Sequence, residues 1–288
     1  MLDFSHIHPG ELLTSLILVL AALLLLGLGR LAYGWWQRGV DIGAELVDKD
    51  NAAFALQQTG YWGALIIVLG AAVHGPGNGL ALDLVDLLVW GITGIVLLLA
   101  SLWINEHFIL HRFSNHDELF KDQNAGTGAV EAGSAIASAL MVFGALSGEG
   151  GGFDTALGFW AIGQLVLVLA GRVYAATLSY DLHHEIGERN NLPAGIAFAG
   201  ALVATGNLVR IGTQGDFDGW SAGLADVLVY TLAALVLTPL IRWLADLVLL
   251  PGRTLAQEIV DQERPNIGAG LVEAFAYVGT TMLIGWAI

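Results

Sequence analysis

The 288-residue chain contains no cysteine. That absence excludes disulfides, thiolate zinc sites, iron–sulfur clusters and cysteine nucleophiles, and it leaves the redox compartment open. Charge is scarce as well: 13% of residues are Asp, Glu, Lys or Arg, against roughly 25% in soluble domains. Basic residues are the scarcest of these, 11 against 26 acids, and the net charge of −15 makes nucleic acid a poor partner. The chain has neither a G-x-S-x-G elbow nor a phosphate-binding P-loop. With no nucleophile–base arrangement either, the sequence reads as a non-enzyme, and no cofactor is expected.

What the chain does contain is apolar: 56% of residues are hydrophobic and the mean hydropathy is +0.68. At roughly 20 apolar residues per crossing, eight runs stand out, at 11–33, 52–74, 84–110, 125–147, 157–178, 193–213, 224–249 and 267–287. The residues ahead of the first run, MLDFSHIHPGE, carry no Lys or Arg, so this run is expected to remain as a membrane helix and not to be cleaved as a signal. Arg30, Arg38, Lys49, Arg112, Lys121, Arg172, Arg189, Arg242, Arg253 and Arg264 fall in or beside connections 1–2, 3–4, 5–6 and 7–8, and only Arg210 lies near the other side. The positive-inside rule therefore predicts those four connections to be cytoplasmic and both termini to face outward.

Those four connections end alike, in ELVDKDN, ELFKDQN, EIGERNN and EIVDQERPN. Each begins at a glutamate (Glu45, Glu118, Glu185, Glu258) and closes on an asparagine (Asn51, Asn124, Asn191, Asn266) where an apolar run starts. Asn51 and Asn191 are 140 residues apart and Asn124 and Asn266 are 142 apart, so the chain is a duplicated half that itself contains a duplication. Each unit runs in, along an amphipathic segment and out again. The repeats are therefore parallel, unlike the inverted repeats of many transporters. The asparagines read as helix N-caps. Small residues follow two and four positions later (Ala53, Gly126, Pro193, Gly268; Ala55, Gly128, Gly195, Gly270) and predict close helix contacts, or else backbone exposed along a path.

Seven residues after their asparagines, Glu131 and Glu273 lie about 10 Å into their helices, at 1.5 Å per residue. Intramembrane carboxylates usually face a cavity or a partner. Glu131 and Glu273 are accordingly expected to form a cation or proton site on a pathway, with Gln58 contributing from the equivalent place in the first unit and Phe198 standing there in the third. The competing readings are protonated glutamates that hold helices together, or glutamates wetted near the interface. Glu45, Glu118, Glu185 and Glu258 would make an acidic ring at a pore mouth if the units surround an axis. The simpler reading is the solvated face of an amphipathic helix.

His107 and His111 stand one turn apart beside Glu106, with His116, His183 and His184 nearby, but EHxxxH is not the metallopeptidase HExxH, and no metal site is expected. Arg30 and Arg172, each followed by a tyrosine (Tyr33, Tyr174), read as snorkelling arginines with interfacial aromatics. Asp83, Asp86 and Asp226 read as acids at outer helix starts.

The repeated segments ELVDKDNAAFALQQTG, EIGERNNLPAGIAFAG, NAGTGAVEAG and NIGAGLVEAF resemble the YjfL-type bacterial inner-membrane family, known as domain of unknown function 350. The resemblance implies two tandem four-helix membrane domains over about 11–147 and 157–288, and it implies no activity. The chain is thus expected to be an all-α polytopic membrane protein of eight transmembrane helices in two pseudo-symmetric halves, 1–150 and 151–288. Its partners would be the lipid bilayer, a small cation or proton, and further copies of the same chain. The leading function is a small-cation or proton channel or transporter. The alternative is a non-conducting scaffold or membrane-stress component that presents the amphipathic segments to a partner. A lipid-moving protein would need a lateral opening.

Overall fold

The computed structural model describes residues 9–37, 39–74, 77–248 and 252–288. Arg38 of the basic pattern, the MLDFSHIH stretch ahead of the first run and Leu249 at the end of the seventh run lie outside these described residues. Among the described residues the chain is all helical, and eight helices are long and apolar enough to cross a membrane.

The first domain has long helices α1 (Pro9–Trp36), α2 (Ala52–Val73) and α3 (Leu80–Phe108), then the short α4 (Asn115–Phe120) and the long α5 (Ala125–Leu146). A π-helical turn, Ala44–Asp48, occupies the place of α4 in the first unit. The second domain repeats the plan with α6 (Phe153–Thr177), short α7 (Leu182–Gly187), α8 (Leu192–Thr213), α9 (Trp220–Val248), short α10 (Leu255–Ile259) and α11 (Ile267–Ala287). The apolar runs begin up to four residues late in the sequence reading where Gly and Asp open a helix, as at α3 and α6. Such residues are polar or small but cap and start helices well.

Packing places the helices in two layers. The helices that follow the motifs form one row, α2 against α5, α5 against α8 and α8 against α11. The helices that precede the motifs, α1, α3, α6 and α9, form a second row behind it. The first row is close-packed because glycine and alanine line its seams, the small-residue contact that drives helix association in lipid. A Cβ on Gly60 would collide with Ala132, one on Gly133 with Ala199 and one on Gly200 with Ala274. These are the same two positions of the repeat at three successive seams. In the fourth unit the glycine position is Phe275, which is exposed, and the row ends there. Consequently α5 and α8 are mostly buried, whereas α1 faces outward along nearly all its length with leucines such as Leu24 and Leu31.

Candidate functional site

Each motif closes a small loop before its helix. The asparagine N–H donates to the glutamate carbonyl, in Asn51–Glu45, Asn124–Glu118, Asn191–Glu185 and Asn266–Glu258. In the first three units the preceding residue (Asp50, Gln123, Asn190) takes φ near +50°, the left-handed turn that brings the asparagine back under the short helix. The asparagine Oδ1 then accepts from the first turn of the long helix, for example from Phe54 N–H at 3.0 Å and Ala194 N–H at 3.0 Å. Its Nδ2 donates to the glutamate carboxylate, at 2.9, 2.6, 2.8 and 2.9 Å in chain order. In the first three units Nδ2 also donates across the seam, to the carbonyls of Leu119, Ile186 and Ile259 in the next unit. Asn266 is at the row's end, exposed and without that third bond among the described residues.

The motif glutamates therefore stand in a row and turn inward. Glu45, Glu118 and Glu185 are buried under their asparagines. Their electrostatics differ four residues on, where Lys49 and Arg189 pair with Glu45 and Glu185 at 2.6 and 2.9 Å, while Asp122 occupies that place beside Glu118. Burial pushes the Glu45 carboxyl up, but the Lys49 and Asn51 hydrogen bonds outweigh it and hold the group below its ordinary value. At Glu118 burial prevails over the Asn124 bond, with Asp122 and Asp117 adding repulsion, and the carboxyl is raised.

Glu131 lies on the wall of a cavity of about 40 Å³ between α1, α2, α3, α4 and α5. A single water needs roughly 10–15 Å³ by this measure, so the cavity is wettable. Asn115 Nδ2 donates to Glu131 Oε1 at 2.9 Å. Among the described residues no Lys or Arg comes within ion-pair distance of Glu131. Tyr33, Gln57 and Asn105 complete the polar wall, and exposed Glu106 and His116 stand at the rim. The buried Oδ1 atoms of Asn105 and Asn115 have no hydrogen-bond partner. The cavity thus gathers a carboxylate and two amide oxygens with free lone pairs, a donor set that suits a hard cation or a hydrated proton. From its inner end a polar thread continues: Asn105 Nδ2 donates to Ser138 Oγ at 3.1 Å, and Ser138 Oγ to Gln164 Oε1 at 3.4 Å, halfway along α6.

Glu273 occupies the same repeat position in different surroundings. It is fully buried, and its Oε1 accepts from Arg242 on α9, from Tyr174 at 3.2 Å and from Tyr277 at 2.9 Å. Arg242 also lies over the Tyr180 ring. The charge of Glu273 is thereby compensated inside the bundle. The two glutamates lie in separate clusters, one in each domain.

Gln58 is buried and donates to Gln57 Oε1 at 3.1 Å; it is Gln57 that reaches the cavity. Phe198, the Gln58 counterpart, stacks on Tyr174 at 5.1 Å. Tyr33 and Tyr174, read from sequence as interfacial, are buried and bond to Gln57 and Glu273. Arg242, counted from sequence with the cytoplasmic connection, is the counter-ion of Glu273. Its place within the apolar run 224–249 was the available signal, because an arginine there needs a partner. Arg172 meets His111 at 2.8 Å, and His107 meets the Trp103 carbonyl. Among the described residues no three metal-ligating side chains converge. Asp226 lines a recess on the terminus side with Glu149, Asp216 and Asp218, while Asp83 accepts from Asn78 N–H at 2.8 Å.

Fold and site together define a multi-pass helical membrane protein built from two tandem copies of one four-helix domain. The family model described as Domain of Unknown Function (DUF350) matches residues 7–146 and 150–288, and the chain belongs to that family, in two copies. No curated protein and no solved structure matches the chain.

Proposed function

We propose that the protein moves protons or a small monovalent cation across a bacterial inner membrane, with the motif side cytoplasmic and Glu131 as the binding group. The observation that carries this reading is the asymmetry of the duplicated glutamates. Glu273 is neutralised by Arg242, whereas Glu131 has no cation beside it and faces a wettable cavity with the unpartnered oxygens of Asn105 and Asn115. An uncompensated carboxylate at that depth costs on the order of 2.5–3.5 kcal/mol by insertion scales, a cost that a bound cation or proton would offset. The Asn105–Ser138–Gln164 thread supports a route inward. At 1.5 Å per residue, roughly 13 Å of α6 separates Gln164 from Thr155, which lines the acidic recess holding Glu149, Asp216, Asp218 and Asp226. Phe159 lines the recess on the way, and Met141 lies 3.9 Å from Gln164, a narrow apolar stretch suited to a gate.

The test is flux in proteoliposomes under a pH gradient and, separately, a Na⁺ or K⁺ gradient. Wild type should carry one of these ions, and Glu131→Gln and Gln164→Leu should abolish the flux while the protein stays folded. Flux that survives Glu131→Gln discards the site. No flux in wild type at either sign of potential discards transport and leaves the scaffold reading.

A further inference from the structure

Among the described residues Arg210 is the one Lys or Arg away from the motif side, and no carboxylate lies within ion-pair distance of it. It sits half-buried in the last turn of α8. Its Nε donates to Asn207 Oδ1 at 3.0 Å and Nη1 donates to Gln214 Oε1, so only neutral acceptors contact it. Asn207 itself is buried, and its Nδ2 has no hydrogen-bond partner. Both groups line a recess of about 350 Å³ formed by α2, α5, α8 and α11 alone, with walls that include Ile67, Phe143, Met282 and Trp286. No helix of the second row contributes to it, so it opens on the face of the first row that points away from the second row.

A guanidinium keeps its charge in any protein setting, and one held at the membrane boundary without a counter-ion is costly. The unspent N–H donors of Arg210 and Asn207 form a donor-only, positive pole, and the remainder of the recess is apolar. The nearby acids Glu149, Asp216, Asp218 and Asp226 line a different recess, on the other side of Gln214. A volume of about 350 Å³ lies within the roughly 300–1,000 Å³ of small-molecule sites. We propose that this recess binds an anionic phospholipid of the adjacent leaflet, its phosphate on Arg210 and Asn207 Nδ2 and an acyl chain against Phe143, Met282 and Trp286. Phosphate is an anion whose oxygens match guanidinium and amide N–H groups, and an acyl chain is what an apolar wall on an outer face of a membrane protein accommodates.

Native mass spectrometry of the purified full chain would test this, with phosphatidylglycerol and phosphatidylcholine supplied in equal amounts. Wild type should retain phosphatidylglycerol over phosphatidylcholine by about tenfold, the preference worth roughly 1.4 kcal/mol. Arg210→Gln should remove the preference and Arg210→Lys should keep part of it. Equal retention of the two lipids by wild type overturns the proposal and needs no variant. A preference that persists in Arg210→Gln overturns it as well. Thermal stabilisation by inorganic phosphate that matches stabilisation by phosphatidylglycerol would show a free-anion site. A dimer that Arg210→Gln splits would show that a second copy covers the recess. Either outcome refutes the lipid assignment.

Discussion

Asn124 Nδ2 donates to the Ile186 carbonyl at 2.6 Å, joining the first domain to the second. Asn51 makes the same bond to Leu119 and Asn191 to Ile259 within the domains, at 2.8 and 2.9 Å. The junction between domains is thus chemically the junction between units, and the row α2–α5–α8–α11 continues through the duplication without a break. One side chain caps its own helix, holds its own glutamate and clamps the next unit. Asn124→Ala should therefore lower stability in detergent by about 2–3 kcal/mol, combining a lost cap with a buried carboxylate left unpaired. Asn266→Ala removes only an exposed cap and one bond and should cost about 1 kcal/mol. Chemical unfolding of the two variants compares them, and equal losses would show that the cross-seam bond contributes nothing.

Gly128 approaches the Ala53 carbonyl so closely that a Cβ would overlap it, and Gly195 and Gly270 repeat this against Gly126 and Pro193. Gly128→Ala must push α2 and α5 apart or strain them, a loss of about 1–3 kcal/mol. Gly63, on the same helix α2, has open space at its Cβ position. Gly63→Ala should be neutral or stabilising by up to about 1 kcal/mol, since alanine is the better helix former. Thermal shift of the two variants side by side checks this. Comparable stability of both would mean that the seams yield readily.

The domains also meet on the motif side through histidines. His111 of the first domain contacts Arg172 at 2.8 Å and packs edge-on to His183 at 4.7 Å, while Arg112 pairs with Asp181 at 2.7 Å. Burial, then Arg172, holds the His111 imidazole below its ordinary value. Burial, and further down His111 and Arg112, does so for His183 against the opposing Ile109 carbonyl bond and Asp181. Both groups bind a proton more readily unfolded than folded, so their contribution to stability is present above the unfolded value of about 6.5 and declines as pH falls below it. The melting temperature should drop between pH 7.5 and 5, and the slope should flatten in His183→Gln. An identical slope in that variant would assign the pH response to other groups.

Topology was legible in the sequence because hydropathy and the fourfold motif are local and periodic, and the asparagine caps followed from their position before apolar runs. Partnership was not legible. The repeat makes Glu131 and Glu273 look equivalent, but their surroundings include Asn105 on α3, Asn115 at the start of α4, Tyr174 on α6 and Arg242 on α9, which lie outside the motif and differ between the two halves. Asn105 lines the Glu131 cavity and Asn115 bonds to Glu131 only after α3 and α4 pack against α5, and Tyr174 meets Glu273 across 99 residues of chain. The inward turn of Glu45, Glu118 and Glu185 was hidden for a similar reason. A charged residue on a short amphipathic segment ordinarily faces water, and here the left-handed residue before each asparagine redirects the loop.

The divergence of the two glutamates predicts opposite effects for the same substitution. Removing one partner of a buried ion pair costs roughly 3–5 kcal/mol, because the other charge is left uncompensated. Arg242 and Glu273 are both well buried, with side-chain exposures of 13% and 1%. Arg242→Met and Glu273→Gln should therefore each lower stability by about that amount. Arg242→Met combined with Glu273→Leu should recover most of it, since apolar replacement of a whole pair is often neutral. Glu131 has no such partner to strand, so Glu131→Gln keeps the Asn115 hydrogen bond in reach and removes a charge that nothing balances. It should leave stability unchanged or raise it by about 1 kcal/mol, less than the roughly 2.5–3.5 kcal/mol insertion cost of a charge at helix centre because the cavity can hydrate the carboxylate. Unfolding curves of the four variants decide the matter. A large loss in Glu131→Gln would make Glu131 a structural group like Glu273 and remove the basis for placing a transport site there.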